Sequence, residues 1–427
     1  MKNALLLTFV LLGAVEFTLS WTNVRYLKRH GAKVPPAFEG TLDPETLEKV
    51  AAYTIENNRL ALAESLFGTI LIILFLFCGL IGHYDRWVTS LADSFILQGI
   101  TFFVPLFLLQ SLLAIPFSLY RVFSLENRYG FNTMTPVLWI TDFIKSTLLS
   151  LLLICLVVAA TFGLVVVSPN GWWLWVWGFL TLLSLVILYL SPYVIEPLFF
   201  RFEPIRSNEL EKEINTLMRR AGLEVSRVLQ VDASRRSTHS NAYFTGIGKV
   251  KRIVLFDTLL ERLETPEILA VLAHEAGHWK AHHLLKRLLT TEALMLVSCL
   301  AGFYLLQQGV FPSLFGMATA SFPAQLFLLG FLFSIIAAVL SPIGNWLSRR
   351  QERQADRYAA GLSETPEALA SSLVKMCRDN LSNLHPHPLY AAVYYSHPPL
   401  IERVQTLLSL HQTKTRRHPA KIARPSA

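Results

Sequence analysis

Seven stretches of the chain are each long and apolar enough to cross a bilayer, and no other feature so narrows what it can fold into. They cover residues 4–21, 64–83, 95–118, 146–168, 172–196, 288–311 and 325–346. A span needs roughly 20 mostly apolar residues. Lipid offers the backbone no hydrogen-bond partner, so such stretches are helices packed in a bundle. Pro105 and Pro116 interrupt the third stretch, which a bundle tolerates. Composition agrees: 16% of residues are charged and 53% hydrophobic, whereas soluble domains carry about 25% charge. The first stretch holds Glu16 and shows no convincing small-x-small cleavage site before Trp21, so a retained anchor is expected over a cleaved leader. Glu16 should face a polar interior, because a carboxylate facing lipid is costly.

The net charge of +8 is explained by positive-inside flanks, with no need for a nucleic-acid partner. The 22–60 loop carries Arg25, Lys28, Arg29, Lys33, Lys49 and Arg59, whereas the 84–94 loop carries only Arg86. Alternate loops are basic, which puts the amino end outside and the 22–60, 119–145 and 197–287 segments and the tail in the cytoplasm. The four cysteines, Cys78, Cys155, Cys299 and Cys377, form neither a disulfide framework nor a metal pattern.

Two segments read as soluble structure. Residues 207–221 form an amphipathic helix closing near Gly222, and "RVLQVDAS", "NAYFTGIG" and "RIVLFDTLL" read as short strands. "TPEILAVLAHEAGHWKAHHLL" opens a helix at Thr265 as N-cap with Pro266 behind it. Residues 351–360 and 365–380 read as further helices, and the basic tail 413–427 as disordered and solvated.

The chemistry sits in "HEAGH". His274 and His278 are four apart and share a helix face, so both can bind one metal ion. Glu275 lies about 100° round, beside the metal, where a carboxylate can hold a water and take its proton. A zinc ion makes such a water nucleophilic at neutral pH. Catalytic zinc wants three protein ligands and one open position. The extended HExxHxxGxxH pattern fails at Ala281 and Leu284. His282 continues the i+4 series but lies two turns from His274, and Glu292 falls at the start of a span. Glu352 in "SRRQERQADRYAA" is the best candidate, because spans six and seven form a hairpin that returns it to His274. Asp356, four residues on, shares its face and is placed to hold a ligand histidine's other nitrogen or to protonate a leaving amine.

Together "HEAGHWKAHH", "SRRQERQAD", "HSNAYFTG", "KRIVLFDTLL", "ENRYGFN" and "SHPPLIERVQTL" resemble the CAAX prenyl protease 1 family of integral-membrane gluzincins and its bacterial relatives, from about Trp21 to Leu408. The resemblance implies an α-helical membrane protein with seven helices around a large water-filled chamber, capped by an α+β zinc-protease domain. It implies zinc ligands His274, His278 and Glu352, one Zn²⁺ per chain, and Glu275 as general base. It implies Asp356 as a second acid, His397 near the scissile carbonyl with Arg403 supporting it, and Asn241, Ala242 and Tyr243 as an edge strand binding the substrate backbone. The expected organisation is spans one to five with their loops (1–196), the first part of the protease domain (197–287), spans six and seven (288–346), the second part (347–412) and the tail (413–427).

The expected function is a zinc metalloendopeptidase cutting near the carboxyl end of prenylated CAAX-type or other extended membrane-associated peptides. The alternatives are the same chemistry in membrane-protein quality control, or a seven-span transporter or receptor. Expected partners are peptide or protein substrates, prenylated or not, and the bilayer, with the chain a monomer. The chain lacks the longer insertions of eukaryotic members and ends in "RPSA" without a lysine-based retention signal. That favours a bacterial inner membrane, with the zinc domain on the cytoplasmic side.

Overall fold

The structure, a computed structural model, describes residues 1–417 apart from Thr41 and 246–249. Seven of its helices are long and apolar enough to cross a membrane: Lys2–His30, Pro44–Phe77, Phe95–Glu126, Pro136–Val167, Trp172–Phe199, His283–Gln307 and Phe322–Leu362. All seven expected spans are there, and most run past their apolar stretches. The second begins at Pro44 because Asp43 caps it, its side chain accepting the Thr46 N–H at 2.7 Å. Gly79, at φ 89°, takes the left-handed turn after this span, and the expected 84–94 loop lies largely in the helix Leu80–Leu91.

Span seven departs furthest from the expectation of a span plus a separate helix over 351–360. It is one helix of 41 residues, roughly 60 Å long at 1.5 Å per residue. Pro342 lies inside it, and its last turns carry Glu352 and Asp356 beyond the apolar segment. Two long side chains on it, Asn345 and Arg349, donate to the carbonyls of Val393, Ala391 and Ala392 and so hold the end of the short helix Pro388–Tyr394. Glu16 is half-buried on span one, which packs on that same short helix, and its charge reaches Tyr390 and Tyr394. It therefore turns toward protein, as its cost in lipid requires.

The extramembrane part combines a four-stranded sheet with helices. The strands are β1 (Phe202–Pro204), β2 (Glu224–Val231), β3 (Ala242–Thr245) and β4 (Val250–Phe256), in the order β1-β2-β4-β3. β2 and β4 are parallel, with the others antiparallel at the edges. β1 was not foreseen, and the "GIG" end of the expected strand 241–248 lies outside the described residues. The helix Asn208–Arg220 starts at Ser207, whose Oγ accepts the Leu210 N–H at 3.2 Å, and closes before Gly222 at φ 69°. Its buried face, Ile214, Leu217 and Met218, meets Ile253 and Leu255 of β4 and Ile268, Leu272 and Ala276 of the "HEAGH" helix. Full burial of each large aliphatic side chain contributes about 1.5–3 kcal/mol. The carboxyl-terminal helix Leu400–Arg417 seals this core with Val404 and Leu407. It takes in residues 413–417 of the expected disordered tail; 418–427 lie outside the described residues.

Candidate active site

The "HEAGH" helix spans Thr265–Lys280. Its N-cap is Glu264, not the expected Thr265: the Glu264 N–H donates to Glu267 at 2.9 Å, an arrangement that needs an acid three residues on. Glu267 is buried and also holds Ser371 at 2.7 Å and Lys375 at 2.8 Å, which docks the start of this helix on the helix Pro366–Asp379. Further along, Ala273, Ala276, Ala355 and Ala359 are fully buried between this helix and span seven. At the crossing stands Gly277. A Cβ there would lie 3.0 Å from the Ala355 Cα, 3.1 Å from its carbonyl oxygen and 3.2 Å from the Tyr358 Cβ. Small residues thus let the two backbones approach closely enough for Glu352 to reach the histidines.

His274, His278 and Glu352 converge, with ligand atoms all within 4.8 Å of one another. His274 Nε2 and His278 Nε2 are 3.2 Å apart, His274 Nε2 is 3.4 Å from Glu352 Oε2, and His278 Nε2 is 3.2 Å from Glu352 Oε1. For ligand bonds of about 2.0–2.1 Å, the edge of a zinc tetrahedron is roughly 3.3 Å. Glu352 Oε2 is buried yet makes no well-aligned hydrogen bond. Two imidazole nitrogens and one carboxylate at that spacing fit a zinc ion with a fourth position open.

The partners behind the triad are equally specific. His274 Nδ1 lies 2.8 Å from Asp356 Oδ1, and Arg403 grips Asp356 with Nε at 2.9 Å and Nη2 at 2.7 Å. Both Asp356 oxygens are therefore engaged. Burial alone would lower the pKa of the His274 ring, but hydrogen bonds to Asp356 and Glu352 outweigh it and push it up to about 9. His278 Nδ1 is 3.0 Å from His283 Nδ1, and His283 Nε2 is 3.2 Å from Gln354 Oε1. His283 reaches back because His282, at φ 54°, makes a left-handed turn between the two helices. Neither His283 nor Gln354 was picked out from the sequence. The one available signal, a run of histidines ending at His283, does not reveal that turn.

Glu275 is half-buried, and loss of water raises its carboxyl pKa, a rise that the nearby His274 and His278 oppose. His397 is 62% exposed, with Nδ1 3.0 Å from Glu352 Oε2. Arg403 serves Asp356 and lies 3.8 Å from Glu352, so its contacts are with the triad and not with His397. Glu292 is remote from the triad: it accepts from Thr181 at 2.6 Å and Ser184 at 2.9 Å, bridging spans five and six. His282 is absent from the ligand cluster. β3 forms an edge of the sheet and abuts the "HEAGH" helix. Asn241 sits just before it, and its carbonyl accepts the Phe256 N–H at 3.1 Å. By antiparallel alternation, Tyr243 then also turns its backbone to β4, while Ala242 and Phe244 turn theirs to the open edge. The Tyr243 hydroxyl donates to Glu196 at 2.8 Å.

A seven-span helical protein with a two-histidine, one-glutamate centre at its extramembrane face is a membrane metalloprotease by class. Comparison with known proteins agrees. A family model described as CAAX prenyl protease N-terminal, five membrane helices, matches residues 23–201, and that of Peptidase family M48 matches residues 204–411. A CAAX prenyl protease 1 homolog of Arabidopsis thaliana is 34% identical over 88% of this chain and 90% of its own length. CAAX prenyl protease 1 of Saccharomyces cerevisiae is 31% identical over 90% of each. The uncharacterized metalloprotease YhfN of Bacillus subtilis is 30% identical over 87% and 89%. The crystal structure of S. mikatae Ste24p superposes with a TM-score of 0.88 at 28% identity, covering 95% of this chain and 98% of that one. The chain belongs to the CAAX prenyl protease 1 family of M48 metalloproteases.

Proposed function

We propose that the chain is a zinc endopeptidase that cuts extended peptides, prenylated CAAX-type peptides among them, in a chamber between its spans. The observation that carries this reading is the 3.2–3.4 Å ligand triangle beside an open strand edge. His274, His278 and Glu352 would hold the zinc, which when bound supplies Lewis acidity and an acidified water. Glu275, its pKa raised by burial, takes the proton of the attacking water and passes it to the leaving amine. Asp356 accepts from Arg403 through both oxygens, which suits a group that orients His274 better than one that gives up a proton. His397, exposed over the triad, is placed to stabilise the carbonyl oxygen as it gains charge.

The Ala242 N–H faces the open edge and meanwhile donates to Asn241 Oδ1 at 2.8 Å. A peptide carbonyl that replaces this oxygen would add the substrate to the sheet as a fifth strand. Polar side chains within the spans support the chamber: Arg121 and Glu64 pair between spans at 2.8 Å, which suits a water-lined space and not lipid. The alternating basic loops favour the cytoplasmic side for this domain, and a bacterial inner membrane is the proposed location. A prenyl chain of about fifteen carbons would gain roughly 0.8 kcal/mol per buried carbon among the helices.

One peptide sequence, offered free, farnesylated and embedded in a rigid soluble domain, tests this. Cleavage of the first two, with a lower KM for the farnesylated form, and sparing of the third are expected. Equal rates for all three would exclude the enclosed chamber.

A further inference from the structure

A cavity of about 490 Å³, lined by no residue of the triad, lies where spans four and five meet the protease domain. Its walls are of two kinds. Lys145, Arg201, Arg235 and Arg236 supply cations, while residues such as Leu138 and Leu198 supply an apolar side. The cations are only partly neutralised. Arg236 binds Asp142 through Nε at 2.8 Å and Nη2 at 3.1 Å, and its guanidinium lies 4.6 Å above the Phe200 ring. That leaves Nη1 buried without a partner. Arg235 leans on Asp232 at 3.2 Å but remains half-exposed. Lys145 reaches only a neutral acceptor, the Leu198 carbonyl at 2.8 Å. Arg201 is exposed, and its guanidinium has no acceptor among the described residues.

Past Lys145 along span four the surface is apolar and outward-facing: Leu148 is 61% exposed and Leu152 65%. These side chains need acyl chains as solvent, which places the four cations at headgroup depth. A soluble anion would use only the upper half of this site; a phosphate attached to acyl chains uses both. We propose that this cavity binds the phosphate headgroup of an anionic membrane phospholipid and so fastens the protease domain to the membrane at the ends of spans four and five. Arg236, tied to Asp142 of span four, forms the fixed floor. Arg201, and Arg235 through the donors that Asp232 does not engage, close over the phosphate.

The test uses the full chain, purified in neutral detergent and titrated with phosphatidylglycerol, phosphatidylcholine or inorganic phosphate, with bound lipid counted by native mass spectrometry. Phosphatidylglycerol should bind at least tenfold tighter than phosphatidylcholine, and millimolar inorganic phosphate should not displace it. Replacing Arg201 and Arg235 by Gln together should weaken phosphatidylglycerol binding about thirtyfold, two surface charges' worth. The Arg201→Lys, Arg235→Lys pair should recover most of that loss, which separates lost charge from lost fold. Equal binding of both lipids, no loss in the Gln pair, or displacement by inorganic phosphate would each overturn the proposal.

Discussion

Gly277→Ala isolates the link between helix packing and metal geometry. The added methyl would meet the Ala355 Cα at 3.0 Å and its carbonyl oxygen at 3.1 Å. Ordinary carbon contacts begin near 3.5 Å, so the two helices must separate by about 0.4 Å. Backbone atoms cannot swing aside, so truncating the Ala355 side chain gives no relief. Overpacking costs about 1–3 kcal/mol, and Ala in place of Gly in a helix returns about 1 kcal/mol. The net loss of stability is therefore small, about 0–2 kcal/mol. The metal site is less forgiving, because His274 and His278 ride on one helix and Glu352 on the other. A shift of about 0.4 Å exceeds the roughly 0.2 Å tolerance of a metal–ligand distance. We expect zinc affinity, measured by competition with a chelator, to fall at least tenfold while the Tm moves by only a few degrees. Gly361→Ala is the control: it lies in span seven's helix with nothing within 4 Å of the new methyl, so it should leave zinc affinity unchanged. A Gly277→Ala protein that binds zinc like the parent would refute the idea that this close approach sets the site.

Other outcomes follow from the same geometry. Glu275→Gln should keep its zinc and lose turnover by about a hundredfold or more, and normal turnover would remove Glu275 from the chemistry. Arg403→Gln leaves Asp356 without its bidentate partner. Zinc affinity should fall about 10–100-fold, and less in Arg403→Lys; no change would show that Asp356 needs no support. Metal loading should also depend on pH. The His274 ring of the metal-free protein, held at about 9, must lose its proton before it can ligate. Zinc uptake below that pH therefore releases a proton, and apparent affinity should rise roughly tenfold per pH unit up to about 9 and flatten above it. A flat profile below pH 9 would contradict the protonated ring.

The spans were legible because lipid demands a uniform apolar composition, and the two histidines because i,i+4 spacing fixes a helix face, whereas Glu352 needed the hairpin of spans six and seven. What hydropathy missed was how far the helices run beyond the lipid. Span two starts at Pro44 under a polar cap, "DPET", and span seven carries Glu352 past its apolar window, because those turns face protein and their sequence is amphipathic or charged. The Asp356–Arg403 clamp was only half visible: Arg403 was assigned to His397, and its true partner depends on a helix crossing that no local pattern encodes. Gly277 carries no local sign of its role for the same reason. The His283 contact to His278 depends on a left-handed non-glycine turn at His282, which no propensity suggests.

The central claim is that His274, His278 and Glu352 hold one catalytic zinc. It is tested most directly by stripping the purified protein with a chelator and following hydrolysis of an unstructured peptide as zinc is titrated back. Turnover should vanish on stripping, return in full at about one zinc per chain, and fail to return in Glu352→Ala at the same zinc level. Turnover that survives in the stripped protein, or full recovery in Glu352→Ala at one equivalent, would contradict the assignment.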